Sequence, residues 1–281
     1  MSFTGSFDAG APEAMLDSKL TSFARAYAEQ REAEGRRLSK ADLLSLPWLK
    51  HGPQAEQWAI RARTFEAFME RVLHPTAERM QGPLTVLDLG AGSGWLSYRV
   101  GREGHLAIAL DIRGDKADGL GAADCLVAHS PGRIERIVAS FDAIPLADDT
   151  ADVTVFNASL HYATDPARVL GEAARVTVRG GVIAILDSPF YRTEAAGRAM
   201  VTEKLSQASV WFDERAVTLT SLDFIEFLTV ERLAMASRDL NLDWRRHRVT
   251  YPLAYELRPL MAALRGRRSP SRFDLWTAVV P

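Results

Sequence analysis

The chain has 281 residues, of which 47% are hydrophobic and 25% are charged, and its formal net charge is −2. This composition is typical of a soluble globular chain with one full core and an extra subdomain, and its slightly acidic balance disfavours a nucleic-acid partner. The lone Cys125, the lack of a basic and apolar leader and the lack of any run of about 18 apolar residues predict a cytoplasmic protein without a membrane span.

The N-terminal part of the sequence favours helices. Residues 1–17 are rich in Ser, Gly and Ala, and we expect a mobile tail there. Apolar residues from Leu20 to Tyr27 recur at helical spacing, Ser39 and Asp42 resemble a capping box, and a long helix runs from Trp58 to a stop before Pro75. The sequence therefore predicts a helical segment over 18–82, which either packs on a sheet or caps the active site.

Strands and helices alternate from Thr85 onward. Apolar runs predict strands over 85–89, 106–111, 136–141, 152–157 and 182–186. Asp165 and Pro166 begin a helix that we expect to end at Gly180 and Gly181. This alternation predicts a parallel, doubly wound α/β sheet.

The alternation is interrupted over residues 190–240, where an apolar and mostly helical insert is expected after the fifth strand. The last sheet elements are predicted over 242–250 and 273–280, with a helix around 254–264 between them.

A glycine-rich turn follows the first predicted strand. Gly90, Gly92 and Gly94 separate that strand from a helix that begins at Trp95. A dinucleotide-binding turn would have its third glycine at position 95, so Trp95 argues against an NAD-linked oxidoreductase. The turn also lacks the G-K-[ST] of nucleotide triphosphatases.

The run Asp88-Leu89-Gly90-Ala91-Gly92-Ser93-Gly94 resembles motif I of the class I S-adenosylmethionine-dependent methyltransferases. The resemblance implies a Rossmann-like core over 83–281, with seven mostly parallel strands and an antiparallel last strand. Residues of about 190–240 would form a helical lid or insert. The implied cofactor is S-adenosyl-L-methionine, with S-adenosyl-L-homocysteine as product.

The resemblance also assigns cofactor contacts. Asp111 lies 21 residues after Gly90, at the end of the second strand, where the family binds both ribose hydroxyls. Ile112 would face the adenine ring, and the stretch 141–143 would meet its amino edge. The predicted cofactor-binding residues are Asp88, Gly90, Ala91, Gly92, Gly94, Asp111, Ile112, Phe141, Asp142, Ala143, Asn157 and Ala158.

The segment after the fourth strand supplies the candidate catalytic groups. His161 is the first candidate for a general base because imidazole titrates near neutral pH, and Tyr162 is the second. The alternative is that His161 only orients the acceptor or packs beneath the cofactor. No metal ligand set is expected.

The acceptor is predicted only by class. The family members that methylate adenine or protein amides carry [ND]-P-P-[YF] after this strand, and this chain does not. A small-molecule or lipid-like acceptor is therefore expected. The aromatic residues Trp48, Trp58, Trp211 and Phe212 either line its pocket or belong to the core.

Other functions stay open at this point. The chain could be a catalytically silent cofactor-binding member that acts through a partner, and both monomer and homodimer are compatible with the sequence. The arginine-rich stretches 245–248 and 265–272 allow an RNA methyltransferase, which the overall charge disfavours.

Overall fold

The computed structural model describes residues 18–33, 38–210, 218 and 221–281, with side chains masked over 207–210. The predicted tail over 1–17 and the predicted pocket residues Trp211 and Phe212 lie outside the described residues. In the described ranges, no helix combines the length and the apolar character that a bilayer span requires.

The centre of the fold is a seven-stranded sheet with the order β3-β2-β1-β4-β5-β7-β6. Strands β1 to β5 run parallel, and β7 is antiparallel to both of its neighbours, β5 and β6. The predicted sheet architecture is thereby confirmed. The strands are β1 Thr85–Leu89, β2 Leu106–Asp111, β3 Ile134–Val138, β4 Ala151–Asn157, β5 Thr177–Leu186, β6 Arg245–His247 and β7 Leu275–Val279.

Helices cover both faces of the sheet because successive strand residues point to opposite sides. In β5, Val182 and Ala184 belong to one buried core, whereas Ile183 and Ile185 belong to the other. The helices are α1 Ser18–Ala33, α2 Lys40–Ser45, α3 Ala55–Phe68, α4 His74–Met80, α5 Trp95–Arg102, α6 Asp124–Ala128, α7 Pro166–Val176, α8 Glu194–Val210, α9 Val230–Ser237, α10 Leu253–Glu256 and α11 Arg258–Leu264.

The observed ends of one strand and one helix differ from the predicted ends because of strand pairing. Strand β3 ends at Val138, where its partner Asp111 ends β2, so residues 139–141 leave the sheet. The predicted helix stop at Gly180 is wrong: α7 ends at Val176, and β5 already begins at Thr177. Residues Ala151 and Val153 of β4 pair with Thr177 and Val182, so the glycines lie in an irregular bulge of β5.

The predicted helix stop before Pro75 is also wrong. A π-helical turn over Met69–Leu73 follows α3, and α4 then starts with Pro75 in its first turn. Proline is tolerated in a first turn because the wider turn before it changes the hydrogen-bond register.

Among its described residues, the predicted insert is only partly helical. Helices α8 and α9 are helical, whereas residues 221–229 before α9 are not, and Leu228 in this stretch bridges to Phe190, next to β5. The predicted helix over 254–264 is divided into α10 and α11.

The order of the strands determines where a ligand can bind. Strand β1 pairs with β2 on one side and with β4 on the other, so the chain changes direction across the sheet at β1. Open α/β sheets bind ligands outside the carboxyl ends of the strands at such a point.

Candidate functional site

A cavity of about 510 Å³ lies at the carboxyl edge of the sheet. Its walls come from the ends of β1, β2, β4 and β5, from α1 and α3, and from the stretch after α8. Most of the predicted site residues line it, namely Gly90, Ala91, Gly92, Asp111, Ile112, Phe141, Asp142, Asn157, Ala158, His161 and Tyr162. Asp88, Gly94 and Ala143 are not part of this lining.

The glycine turn needs residues without side chains. Gly90, Gly92 and Gly94 have φ values of 74°, 56° and 73°, in the left-handed region that disfavours other residues. A Cβ atom on Gly90 would lie 2.4 Å from the Cβ atom of Ser159. The bare main chain of Gly90 and Gly92 therefore borders the cavity.

The carboxylate of Asp111 is held at the cavity wall by backbone donors. The Gly92 N–H donates to Oδ2 over 2.7 Å, and the Arg113 N–H donates to Oδ1 over 2.9 Å. Burial raises the pKa of Asp111, and these two N–H groups oppose that effect by favouring the charged form. A carboxylate oxygen can accept two hydrogen bonds, so each Asp111 oxygen can still bind a ligand hydroxyl.

The motif carboxylate Asp88 is fully buried behind the glycine turn. Ser97 Oγ, on α5, donates to Asp88 Oδ2 over 2.9 Å, while Oδ1 has no hydrogen-bond partner among the described residues. Burial raises the pKa of Asp88 to about 7. The contact that the structure shows for Asp88 therefore joins β1 to α5.

The stretch after β3 lies opposite the end of β2. Phe141 packs edge-on against Phe156 with ring centroids 6.2 Å apart, and Arg168 Nε donates to the carbonyl oxygen of Asp142 over 2.9 Å. Phe141 and Ile112 both line the cavity. They give this end of it two apolar side chains.

The sequence analysis missed an arginine network at the opposite end. Arg61, on α3, donates from Nε to Asp187 Oδ2 over 3.1 Å and from Nη2 to Asn157 Oδ1 over 3.2 Å. Its guanidinium carbon lies 4.5 Å from the ring centre of Trp58 and 5.3 Å from that of Trp95. The spacing of Trp58 and Arg61 on one helix face was visible, but nothing local linked Arg61 to Asp187.

Two residues beside this network have left-handed backbones. Ala158 follows β4 with φ 58°, and Asp187 follows β5 with φ 51°. Non-glycine residues adopt this conformation at a cost and are enriched at functional sites. The Ala158 N–H donates to the Leu186 carbonyl over 2.8 Å, which holds the two strand ends together.

His161 lies on a 3₁₀ turn over Leu160–Tyr162, and its Nδ1 atom is buried without a partner among the described residues. Burial lowers its pKa to about 3, and the positive charges of Lys204 and Arg61 act in the same direction. The premise that this imidazole titrates near neutral pH is therefore wrong. The ring is neutral throughout the physiological range.

Aromatic side chains form one wall of the cavity. Tyr27 and Phe23, on α1, meet Tyr162 and Phe224, with ring centroids between 4.8 and 6.3 Å apart. The hydroxyls of Tyr27 and Tyr162 are 3.2 Å apart, and burial raises the pKa of Tyr162. We call Phe23, Tyr27, Tyr162 and Phe224 the aromatic wall.

The N-terminal helices contribute in different ways. Leu20, Phe23, Tyr27 and Arg31 place one face of α1 on the cavity, and Arg31 Nε donates to Asp118 over 2.8 Å. By contrast, α3 packs into the core through Phe65 and Phe68 and reaches the cavity with Trp58 and Arg61. Trp48 packs on Phe65 and does not line the cavity.

Known proteins resemble this chain in sequence over its central part. Residues 87–185 match the family model described as a methyltransferase domain. Malonyl-[acyl-carrier protein] O-methyltransferase of Erwinia billingiae is 34% identical over 110 residues, which cover 38% of this chain and 39% of that protein. Arsenite methyltransferase of Halobacterium salinarum is 29% identical over 107 residues, which cover 37% and 27%. The chain thus spans 39% or less of the length of these two curated relatives.

Solved structures share the fold at low sequence identity. The [4+2]-cyclase SpnF aligns with a TM-score of 0.53 and 18% identity, covering 78% of this chain and 80% of that chain. A putative sarcosine dimethylglycine methyltransferase of Galdieria sulphuraria aligns with a TM-score of 0.51 and 18% identity, covering 77% and 84%. The match over residues 87–185 identifies a methyltransferase domain in the central part of this chain, and the strand order and the glycine turn agree with the resemblance to the class I S-adenosylmethionine-dependent methyltransferases.

Proposed function

We propose that the protein binds S-adenosyl-L-methionine and catalyses methyl transfer to a small apolar or lipid-like acceptor. The observation that carries this proposal is a single cavity in which the glycine turn and Asp111 face the aromatic wall. One part of the cavity is suited to a polar nucleoside, and the other is suited to an apolar molecule.

The residues at the sheet edge fit the cofactor. Asp111 offers two acceptor oxygens to a ribose diol, and the bare turn at Gly92 allows close approach of a ligand. Ile112 and Phe141 supply apolar contact for an adenine ring, and Asp142 lies beside them. Asn157 and Ala158 would border the methionine part.

The charges in the cavity favour an acceptor without a strong charge. Each of its three arginines is paired with a carboxylate: Arg31 with Asp118, Arg61 with Asp187 and Arg113 with Asp115. Among the described lining residues, no arginine is therefore free to recognise an anionic group. The aromatic wall supplies contact area for an apolar acceptor instead.

The proposed reaction requires little acid–base catalysis from the protein. When bound, S-adenosyl-L-methionine supplies an electrophilic methyl on a sulfonium centre. The protein has to align the acceptor and exclude water, and α1 with the aromatic wall covers the cavity for that purpose. His161 offers a neutral imidazole at the cavity wall, which can orient an acceptor hydroxyl or amine.

Calorimetric titration of S-adenosyl-L-homocysteine tests the cofactor half of the proposal. Asp111→Ala should weaken binding by about 1–3 kcal/mol, because a buried hydrogen-bonding partner of the ribose is lost. Asp239→Ala is the control, since this carboxylate is exposed and does not line the cavity. Binding of NAD without any response to S-adenosyl-L-homocysteine would overturn the proposal.

A second experiment separates catalysis from silent cofactor binding. Native mass spectrometry of the freshly purified protein would identify a retained cofactor and acceptor. Turnover of methyl-labelled cofactor would then be measured with that acceptor and with apolar alcohols, phenols, amines and thiols. A protein that binds the cofactor but labels none of them would support the silent alternative.

A further inference from the structure

Helices α10 and α11 form a nearly continuous rod between β6 and β7. Leu257, between them, has helical angles of φ −80° and ψ −10°. Its N–H donates to the Leu253 carbonyl over 2.9 Å, and the Met261 N–H donates to the Leu257 carbonyl over 3.0 Å. Side chains from 253 to 264 can therefore be compared as faces of one helix.

The face of this rod that points away from the protein is the apolar one. Leu253, Leu257, Leu260, Met261 and Leu264 are between 41% and 73% exposed, and their spacing places them on one side of the helix. We call these five residues the apolar stripe. Tyr255, Arg258 and Ala262 lie on the other side and are buried or half-buried.

This arrangement reverses the usual pattern. A surface helix normally buries its apolar side and exposes its polar side. Contiguous exposed apolar patches, in contrast to scattered apolar residues, mark interaction sites.

The charge at the end of the stripe indicates what it contacts. Residues 257–273 contain five arginines and no acidic residue. Arg258, Arg268 and Arg272 are held by the Ser271 carbonyl, Glu203 and Glu256. Arg265 and Arg267 are exposed, and neither forms a side-chain hydrogen bond or ion pair with any described residue.

We infer that the apolar stripe docks on the surface of a bilayer that contains anionic phospholipid. Leu and Met side chains would enter the boundary between headgroups and acyl chains, and Arg265 and Arg267 would meet the phosphates. A bilayer satisfies both the apolar and the cationic part at once. A second copy of the chain would cover the stripe but would add two more arginines of the same sign.

The position of the rod connects the stripe to the cavity. The Phe273 N–H donates to the Tyr255 hydroxyl over 3.2 Å, and Phe273 lines the cavity. Docking would therefore bring the cavity close to the bilayer. The consequence that an acceptor enters from the lipid phase rests on the proposed function, whereas docking itself does not.

Vesicle co-sedimentation tests docking without cofactor or acceptor. The probes are vesicles of phosphatidylcholine alone and of phosphatidylcholine mixed with phosphatidylglycerol. Leu260→Gln/Leu264→Gln should lower the partition coefficient at least about tenfold on the mixed vesicles. Arg265→Gln/Arg267→Gln should lower it about fivefold per arginine on the mixed vesicles, and salt should have the same effect. Leu205→Gln/Met235→Gln, which changes exposed apolar residues of α8 and α9, should leave it unchanged.

Several results would overturn the inference. Wild-type protein that stays in solution with both vesicle types would do so, as would equal losses in the stripe variant and the α8–α9 control. A wild-type dimer that becomes monomeric in Leu260→Gln/Leu264→Gln, without any vesicle binding, would assign the stripe to a second copy. Capture of an acidic protein through Arg265 and Arg267, again without vesicle binding, would assign it to a protein partner. Titration of S-adenosyl-L-homocysteine separates these results from failure of the proposed function.

Discussion

Asp88 should make the stability of the protein depend on pH. Its carboxyl is buried, receives one hydrogen bond from Ser97, and has a pKa raised from 3.8 to about 7. Because the unfolded chain ionises this group at a lower pH than the folded chain does, ionisation favours unfolding. The contribution of Asp88 to stability is therefore lost as the pH rises from about 3.8 to about 7, and it is constant above that range.

The size of the effect follows from the shift. One pKa unit corresponds to about 1.4 kcal/mol, so the full shift costs the folded state about 4 kcal/mol at high pH. Between about pH 5 and about pH 8 the loss is about 2–3 kcal/mol. Asp88→Asn removes this pH dependence. Because the amide and the carboxyl form different hydrogen bonds, the change of the stability difference with pH is the informative quantity, and its value at a single pH is not.

The measurement is urea unfolding of the wild type and of Asp88→Asn across that pH range. The free energy of unfolding of the variant, relative to the wild type, should rise by about 2–3 kcal/mol from the acidic to the basic end. Asp239→Asn removes an exposed carboxylate and is the charge-matched control. Parallel pH profiles for the wild type and Asp88→Asn would refute the reasoning.

Two further predictions concern the cavity wall. Arg61→Met should destabilise the fold by about 3 kcal/mol, because it leaves Asp187 buried without its cation. The double substitution Arg61→Met/Asp187→Asn should recover much of the lost stability, and chemical denaturation measures both variants. His161 has a pKa of about 3 in the fold against 6.5 in the unfolded chain, so its protonation favours unfolding as the pH falls below about 6.5. His161→Gln should therefore shift the midpoint of acid unfolding to lower pH. Since the ring does not titrate near pH 6.5, this substitution should not remove a limb near that pH from the pH–rate profile. An unchanged unfolding midpoint would contradict a buried neutral ring.

Sequence reasoning succeeded where a feature depends on local pattern. The buried strand Thr85–Leu89 and the helix that begins at Trp95 have the predicted ends, because the apolar run and the glycines determine them locally. Asp111 lies at the end of β2 and faces the cavity for the same reason. The order of the strands was predicted from the family resemblance and not from the pattern of any single strand.

Features that depend on distant partners were missed. The end of β3 is determined by the end of its neighbour β2, and Gly180 proved to belong to a bulge because β4 pairs on both sides of it. Arg61 and Asp187 are 126 residues apart, and nothing near either one indicates the ion pair. The exposure of α11 was equally hidden, since its apolar spacing resembles that of an ordinary core helix.

The docking of helix α1 on the cavity is linked to the binding of a ligand. Its inward face, from Leu20 to Arg31, lies on the cavity, and the contacts that hold it include the Tyr27–Tyr162 contact and the Arg31–Asp118 ion pair. A ligand that fills the cavity touches this same face, so ligand binding and the docking of α1 on the cavity are thermodynamically coupled. A substitution that populates the undocked form of α1 therefore weakens ligand binding in proportion to the docked fraction that is lost. Saturating ligand should slow amide exchange in α1, a helix that contributes little to the main core.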